Sequence, residues 1–239
     1  MADLRDAARV AVIAAMVPEL QPIVRALSLE PVSLEGARAY AGRSGGREVV
    51  GAVTSIGTRA AAEVTRRLLD AHPPDHVLVV GICGGIDRRL AIGDLVLPEV
   101  VLDEASGAES RPVTLGGATP RGTLMTTDVL HNDPAEMDGF VRRGIVAVDM
   151  ETAAIGAVAA ARGIPWSVFR AISDWAGDPD VDADVVAMSR ADGTPDPRAI
   201  ARFLVAHPLR IPKLARLGAG MRTGVRVSSA AVLAALAAR

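Results

Sequence analysis

The chain has 239 residues, 50% of them apolar and 23% charged, with a formal net charge of −2. Its length and apolar content suffice for a substantial core in one α/β-sized domain, residues 1–239, and exclude whole-chain disorder. A single cysteine, Cys83, excludes an internal disulfide framework and fits a reducing, cytoplasmic compartment, and the overall charge gives no reason to expect nucleic acid.

Residues 10–17 form an apolar run too short to cross a membrane, and Asp3 and Asp6 precede it where a signal peptide carries positive charge. Residues 10–14 are predicted as a buried strand, and Pro18 opens a helix to about residue 27. Strands 37–42 and 47–54 flank Ser44-Gly45-Gly46, a hairpin signal. A helix over 58–69 ends at Pro73-Pro74, and 77–80 is a fully apolar strand with a turn at Gly81-Ile82-Cys83-Gly84-Gly85. Residues 95–101 read as one strand and 103–121 as loop. Then come a strand over 145–148, an Ala-rich helix over 152–162 closed by Gly163 and Pro165, and a strand over 166–172. Residues 178–197, rich in Asp, Gly and Pro, read as a surface loop or lid. A helical extension begins at about 197 and carries eight basic residues and no acid.

The strand–helix–strand unit from 145 to 172 places Glu151 and Asp174 at two strand ends. In an open α/β sheet that is where ligands sit, so both should face one pocket from neighbouring strands. Each acid also has an ordinary structural account: Glu151 as a partner of a helix N-terminus, Asp174 as the cap of a turn. Glu19, in a helix's first turns, has the same ordinary account.

Three segments carry a resemblance: Ala147-Val-Asp-Met-Glu151 with Arg170-Ala-Ile-Ser-Asp174, Gly81-Ile-Cys-Gly-Gly85 with Ile92-Gly-Asp-Leu-Val96, and Ala15-Met-Val-Pro-Glu19. Together they resemble the nucleoside phosphorylase/nucleosidase superfamily, and within it the methylthioadenosine/S-adenosylhomocysteine nucleosidases. The resemblance implies a three-layer α/β fold with a central mixed, partly barrel-like sheet flanked by helices. It implies cleavage of the N-ribosidic bond of a purine nucleoside without cofactor or metal. Asp174, helped by Ser173, would protonate the base; Glu151 would hold the ribose with Met150 packed on the sugar; Glu19 and Arg170 would orient water. It also implies that Ile82, Cys83 and Gly84 line the substrate, and that the protein is a homodimer. Cys83 lacks a nucleophile elbow or a placed base and reads as a packed small residue.

Departures from the family pattern set the alternatives. Ile82 stands where a serine is common, and Val79 and Ile82 occupy places where phosphorylases put phosphate-binding groups, which favours water over phosphate; Arg59 is the one replacement cation considered. Leu130 replaces a base-stacking aromatic, and Trp175 is the nearest substitute in sequence. The basic C-terminus reads either as a solvated helix packed on the core or as a weak membrane-surface contact. The latter resembles hopanoid-associated members, which remove adenine from adenosylhopane. His72 and His76 are separated by Pro73-Pro74 and share no helix face, and His131 and His207 read as isolated, so no metal site is expected. A nucleoside-sensing module without turnover is the remaining alternative, although it has no need of three carboxylates.

Overall fold

A computed structural model of the chain describes residue 4 and residues 6–115, 119–131, 133–178, 190, 192, 194 and 196–238. The order is β1 (Arg9–Ala14), α1 (Val17–Ala26), β2 (Glu30–Leu34), β3 (Ala37–Ser44), β4 (Arg47–Val53), α2 (Thr58–Ala71), β5 (His76–Gly85), β6 (Leu95–Val96), β7 (Val100–Asp103), β8 (Glu109–Ser110) and β9 (Thr123–Thr126). It continues with α3 (Pro134–Arg142), β10 (Ile145–Asp149), α4 (Thr152–Ala160), β11 (Trp166–Trp175), α5 (Pro197–Ala206) and α6 (Ile211–Ala237). All described strands join one mixed sheet in the order β2-β3-β4-β1-β5-β10-β9-β7-β8, with β11 pairing β5 and β6 off that path.

Strands buried on both faces explain the layers. In β1, Ala11 and Ile13 enter a core with Leu68, Ile155 and Val158 from α2 and α4. The alternate residues Val10, Val12 and Ala14 enter a second core with Leu20 and Ile23 of α1 and Val232 and Leu236 of α6. The expected three-layer α/β fold is the one observed, with the central sheet between two helical layers.

The pivot is β5. On one edge β1 runs parallel to residues 76–79 and β10 runs antiparallel to Gly84 and Gly85; on the other, β11 runs parallel along nearly its whole length. The predicted turn at 81–85 is therefore strand, since glycines there continue to pair rather than reverse the chain. The strands carrying Glu151 and Asp174 are consequently not neighbours: β5 separates them, and curling of the sheet brings their ends to one place. The strand predicted over 166–172 extends to Trp175 with a register shift between Ile172 and Asp174, so Asp174 sits in the ladder rather than beyond it.

Other departures have local causes. Pro98 lacks the N–H a ladder needs, and the strand predicted over 95–101 is split into β6 and β7. The segment predicted as loop contains the short β8, while β2, β9 and α3, which lack a strong apolar period, were not foreseen. The Asp-rich segment 178–197 lies mostly outside the described residues.

Helix α6 packs on β11 and β5 and beside α1, so the basic C-terminal helix contributes to the core through Val225, Val232 and Leu236. Arg47, itself buried, ties it down by donating from Nη1 to the Leu236 carbonyl at 2.7 Å and from Nε to the Leu4 carbonyl at 3.2 Å. Close approach to β11 requires Gly220, where a Cβ would lie 2.0 Å from the carbonyl oxygen of Ser173. Gly220→Ala is expected to lower the unfolding free energy by about 2 kcal/mol in urea titrations. Gly218→Ala is the control: its Cβ would meet only the tip of Arg222 at 3.6 Å, and the substitution should be neutral or stabilising.

Candidate active site

A cavity of about 200 Å³ opens where β5, β10 and β11 end, against the start of α1. Glu19, Ile82, Cys83, Gly84, Leu130, Met150, Glu151, Arg170, Ser173, Asp174 and Trp175 all line it. Arg59, the cation considered for phosphate, is exposed on α2 and does not, and Val79 is wholly buried in the core.

At the base of the cavity Arg170, 1% exposed, is surrounded by carboxylates. Its Nη2 lies 2.6 Å from Asp149 Oδ2 and 3.2 Å from Glu151 Oε2, and its Nη1 lies 3.6 Å from Glu19 Oε1. Nη1 also donates to the Ile82 carbonyl, and Nε donates to Thr152 Oγ1. Burial works against the guanidinium charge, but Asp149, Glu151 and Glu19 outweigh it and hold the group protonated.

Each acid is placed by a different element. Pro18 starts α1, and Glu19 folds back so that Oε2 accepts from Met16 N–H at 2.8 Å while Oε1 accepts from Ile82 N–H at 2.8 Å. Glu19 and Arg170 meet across Gly81, where a Cβ would come 2.3 Å from Glu19 Oε1 and 2.5 Å from Arg170 Nη1. The glycine in β5 is therefore required by close approach of side chains, not by a turn. Glu151 stands at the N-cap of α4 without capping it; its Oε1 accepts from Gly57 N–H at 3.1 Å. Asp149 instead satisfies that helix start, accepting from Thr152 N–H at 3.2 Å and from the Thr152 hydroxyl, and from Thr126 Oγ1 at 2.6 Å.

Burial is the largest influence on Glu19, Glu151 and Asp174. It raises Glu19 despite Arg170 and two backbone N–H donors, and pushes Glu151 up to about 8, with Asp149 and Glu19 adding to it. Asp174 lies apart from the arginine. Burial raises it too, Asp178 adds to the rise, and the Ser173 hydroxyl, which donates to its Oδ1, opposes it. The Cys83 thiol is buried and its pKa is pushed up by desolvation, consistent with a packed residue.

Sequence reasoning missed Asp149, the acid closest to Arg170. Its signal was present in Val-Asp-Met-Glu, where it ends β10 two residues before Glu151 at the N-cap of α4. His131 is not isolated: both ring nitrogens lie 3.0 Å from glutamates, Glu104 and Glu136. Trp175 lines the cavity, but its ring already carries the Arg88 guanidinium 4.3 Å from the centroid and abuts Gly85.

A family profile described as the phosphorylase superfamily matches residues 9–114 and 108–194. The chain belongs to the phosphorylase superfamily. It is 33% identical over 180 residues to the 5'-methylthioadenosine/S-adenosylhomocysteine nucleosidase of Geobacillus thermodenitrificans, covering 62% of this chain and 76% of that protein. Its fold is similar to that of the corresponding Neisseria meningitidis nucleosidase in complex with methylthio-immucillin-A, with a TM-score of 0.71, 21% identity and coverage of 96% and 98% of the two chains. The futalosine hydrolase of Helicobacter pylori is similar too, with a TM-score of 0.69 at 18% identity over 95% of this chain and 96% of that one.

A carboxyl raised by burial keeps its proton in the folded state over a range where the unfolded chain has released it, so folding stability falls as pH climbs through that range. Glu151→Gln, which mimics the neutral acid, is therefore expected to gain thermal stability relative to the parent between about pH 5 and pH 8. Melting curves of the two proteins across that range check it; a gap that narrows toward alkaline pH contradicts the burial argument.

Proposed function

We propose that this protein hydrolyses the N-ribosidic bond of a purine, adenine-type nucleoside with a modified 5′ position, releasing the free base. The observation that carries the choice of water is the charge around the cavity. Four carboxylic acids, Glu19, Asp149, Glu151 and Asp174, line it with one arginine, and that arginine is engaged by three of them. A phosphate would have to compete with three acids for that one arginine, the guanidinium among the described residues of the lining. A sugar acquiring oxocarbenium character meets acid oxygens instead.

The acids divide the work by position. Asp174, away from Arg170 and raised by burial, holds a proton for the leaving base, with the Ser173 hydroxyl fixing its carboxyl. Glu151, oriented by Gly57 N–H and Arg170, faces the ribose hydroxyls, and Met150 lines the sugar side. Glu19, with its two oxygens directed by Met16 and Ile82 N–H groups, takes the proton of the attacking water. Resemblance alone supports the homodimer, and the single cysteine is what fits a cytoplasmic setting; among the described residues no helix is long and apolar enough to cross a membrane.

A lipid-linked nucleoside such as adenosylhopane is the second reading. It is favoured by Leu209 and Ile211, 92% and 47% exposed where the basic helix begins.

Incubation with methylthioadenosine, S-adenosylhomocysteine, adenosine and inosine, with and without phosphate, tests the proposal by chromatography of base and sugar. Free base with free sugar, independent of phosphate, is expected. A sugar 1-phosphate formed only with phosphate overturns the water assignment, and turnover of none of the four directs attention to the lipid-linked substrate. Asp174→Asn should lower kcat at least about 100-fold. In the parent, activity should be lost as pH rises through the raised pKa of Asp174, because the acid form is the working one.

A further inference from the structure

The wall of the cavity contributed by residues 127–131 departs most from what packing alone would hold. Val129 and Leu130 line the cavity, yet they are 59% and 46% exposed. Apolar side chains so exposed gain little from burial, so their position must come from the polar residues around them.

Those residues are fastened at three points. Asp128 accepts from Thr58 N–H at 3.0 Å and from its hydroxyl, which pins the segment to the start of α2. The Thr127 hydroxyl donates to Glu104 and accepts from Val129 N–H at 3.0 Å. His131, with a side chain 13% exposed, lies between Glu104 of the turn after β7 and Glu136 of α3's first turn. Its ring also meets Phe140 edge-on at 5.1 Å. With both ring nitrogens engaged, the imidazole has no polar atom left for a substrate.

We propose that His131 is a positioning residue: bridged as an imidazolium between Glu104 and Glu136, it holds Val129 and Leu130 in place for the purine and makes purine affinity fall at alkaline pH. The assignment of that wall to the purine rests on the nucleosidase reading above.

The charged groups around the ring give the sign. Burial disfavours the imidazolium, but Glu104 and Glu136 outweigh it and hold His131 above its ordinary 6.5. Glu104 is itself held low by Thr127 and His131 against the effect of burial, with Arg143 adding to the lowering. Asp128 and Asp133 are occupied with the starts of α2 and α3. A group raised in the folded state contributes fully below its free pKa and loses that contribution as pH rises through the folded value. The bridge is therefore intact in mildly acid solution and weakens as pH rises through the raised value of His131.

The test combines adenine binding by calorimetry, KM and kcat for base release, and NMR titration of the histidine rings in the full chain. In the parent, adenine Kd and substrate KM should be flat below about pH 6.5 and rise about fivefold as the His131 ring loses its proton. His131→Gln should show the raised KM at all pH values, with the parent's kcat at acid pH. Glu136→Gln, which leaves the Glu104 contact, should shift the ring titration and the KM inflection together to lower pH. A parent-like KM for His131→Gln in acid, or an inflection that stays put while the ring titration moves, overturns the positioning role. Adenine binding with this pH dependence but without base release refutes the nucleosidase reading alone; no adenine binding by the parent overturns both.

Discussion

A buried guanidinium among three carboxylates is the constraint on which the site depends. Removing Arg170 from water is costly, and only close, well-oriented acids repay it. Asp149, Glu151 and Glu19 reach it from β10, from the start of α4 and from α1. The β10–α4 junction and α1, distant in sequence, are thereby fixed around one cation, and the cavity inherits their rigidity. The same cluster engages both terminal nitrogens of its one guanidinium.

The backbone of β5 is shaped to permit this. Arg170 stands opposite Gly81 in the parallel register, and only a residue without a side chain lets its guanidinium meet Glu19 there. Further along the same strand, Gly84 pairs Val148 on one edge and Asp174 on the other, so one strand end sets how far apart β10 and β11 deliver their side chains to the cavity. Gly220 extends the dependence outward, because α6 can press on Ser173 only without a Cβ. Helix, strand and acid are thus parts of one packing problem.

Much of the site was legible because its chemistry lies in short contiguous segments. Glu151, Arg170 and Asp174 flank one strand–helix–strand unit, and the family resemblance added Glu19 from a distant helix start. What was not legible depends on pairing between strands. The 81–85 segment reads as a turn because glycine is common in turns, whereas here glycine answers to side chains crossing from β11 and α1. The separation of β10 from β11 by β5 has no local signal, since register is a property of partners. His131 looked isolated for the same reason: Glu104 and Glu136 reach it from β7's turn and α3, and α3 itself lacked a strong apolar period.

Two environments for one chemical group explain how a single cavity can supply acid and base together. Asp149 lies 2.6 Å from a cation and accepts from two threonines and a helix start. Asp174 accepts from one hydroxyl and has Asp178 nearby, and burial outweighs the hydroxyl. Carboxyl groups whose surroundings differ in this way separate into a proton holder and charge-bearing partners. The separation follows from where β11 leaves its straight register, since the shift between Ile172 and Asp174 carries the acid past Arg170. That irregularity in the ladder is what parts Asp174 from the guanidinium that Asp149, Glu151 and Glu19 share.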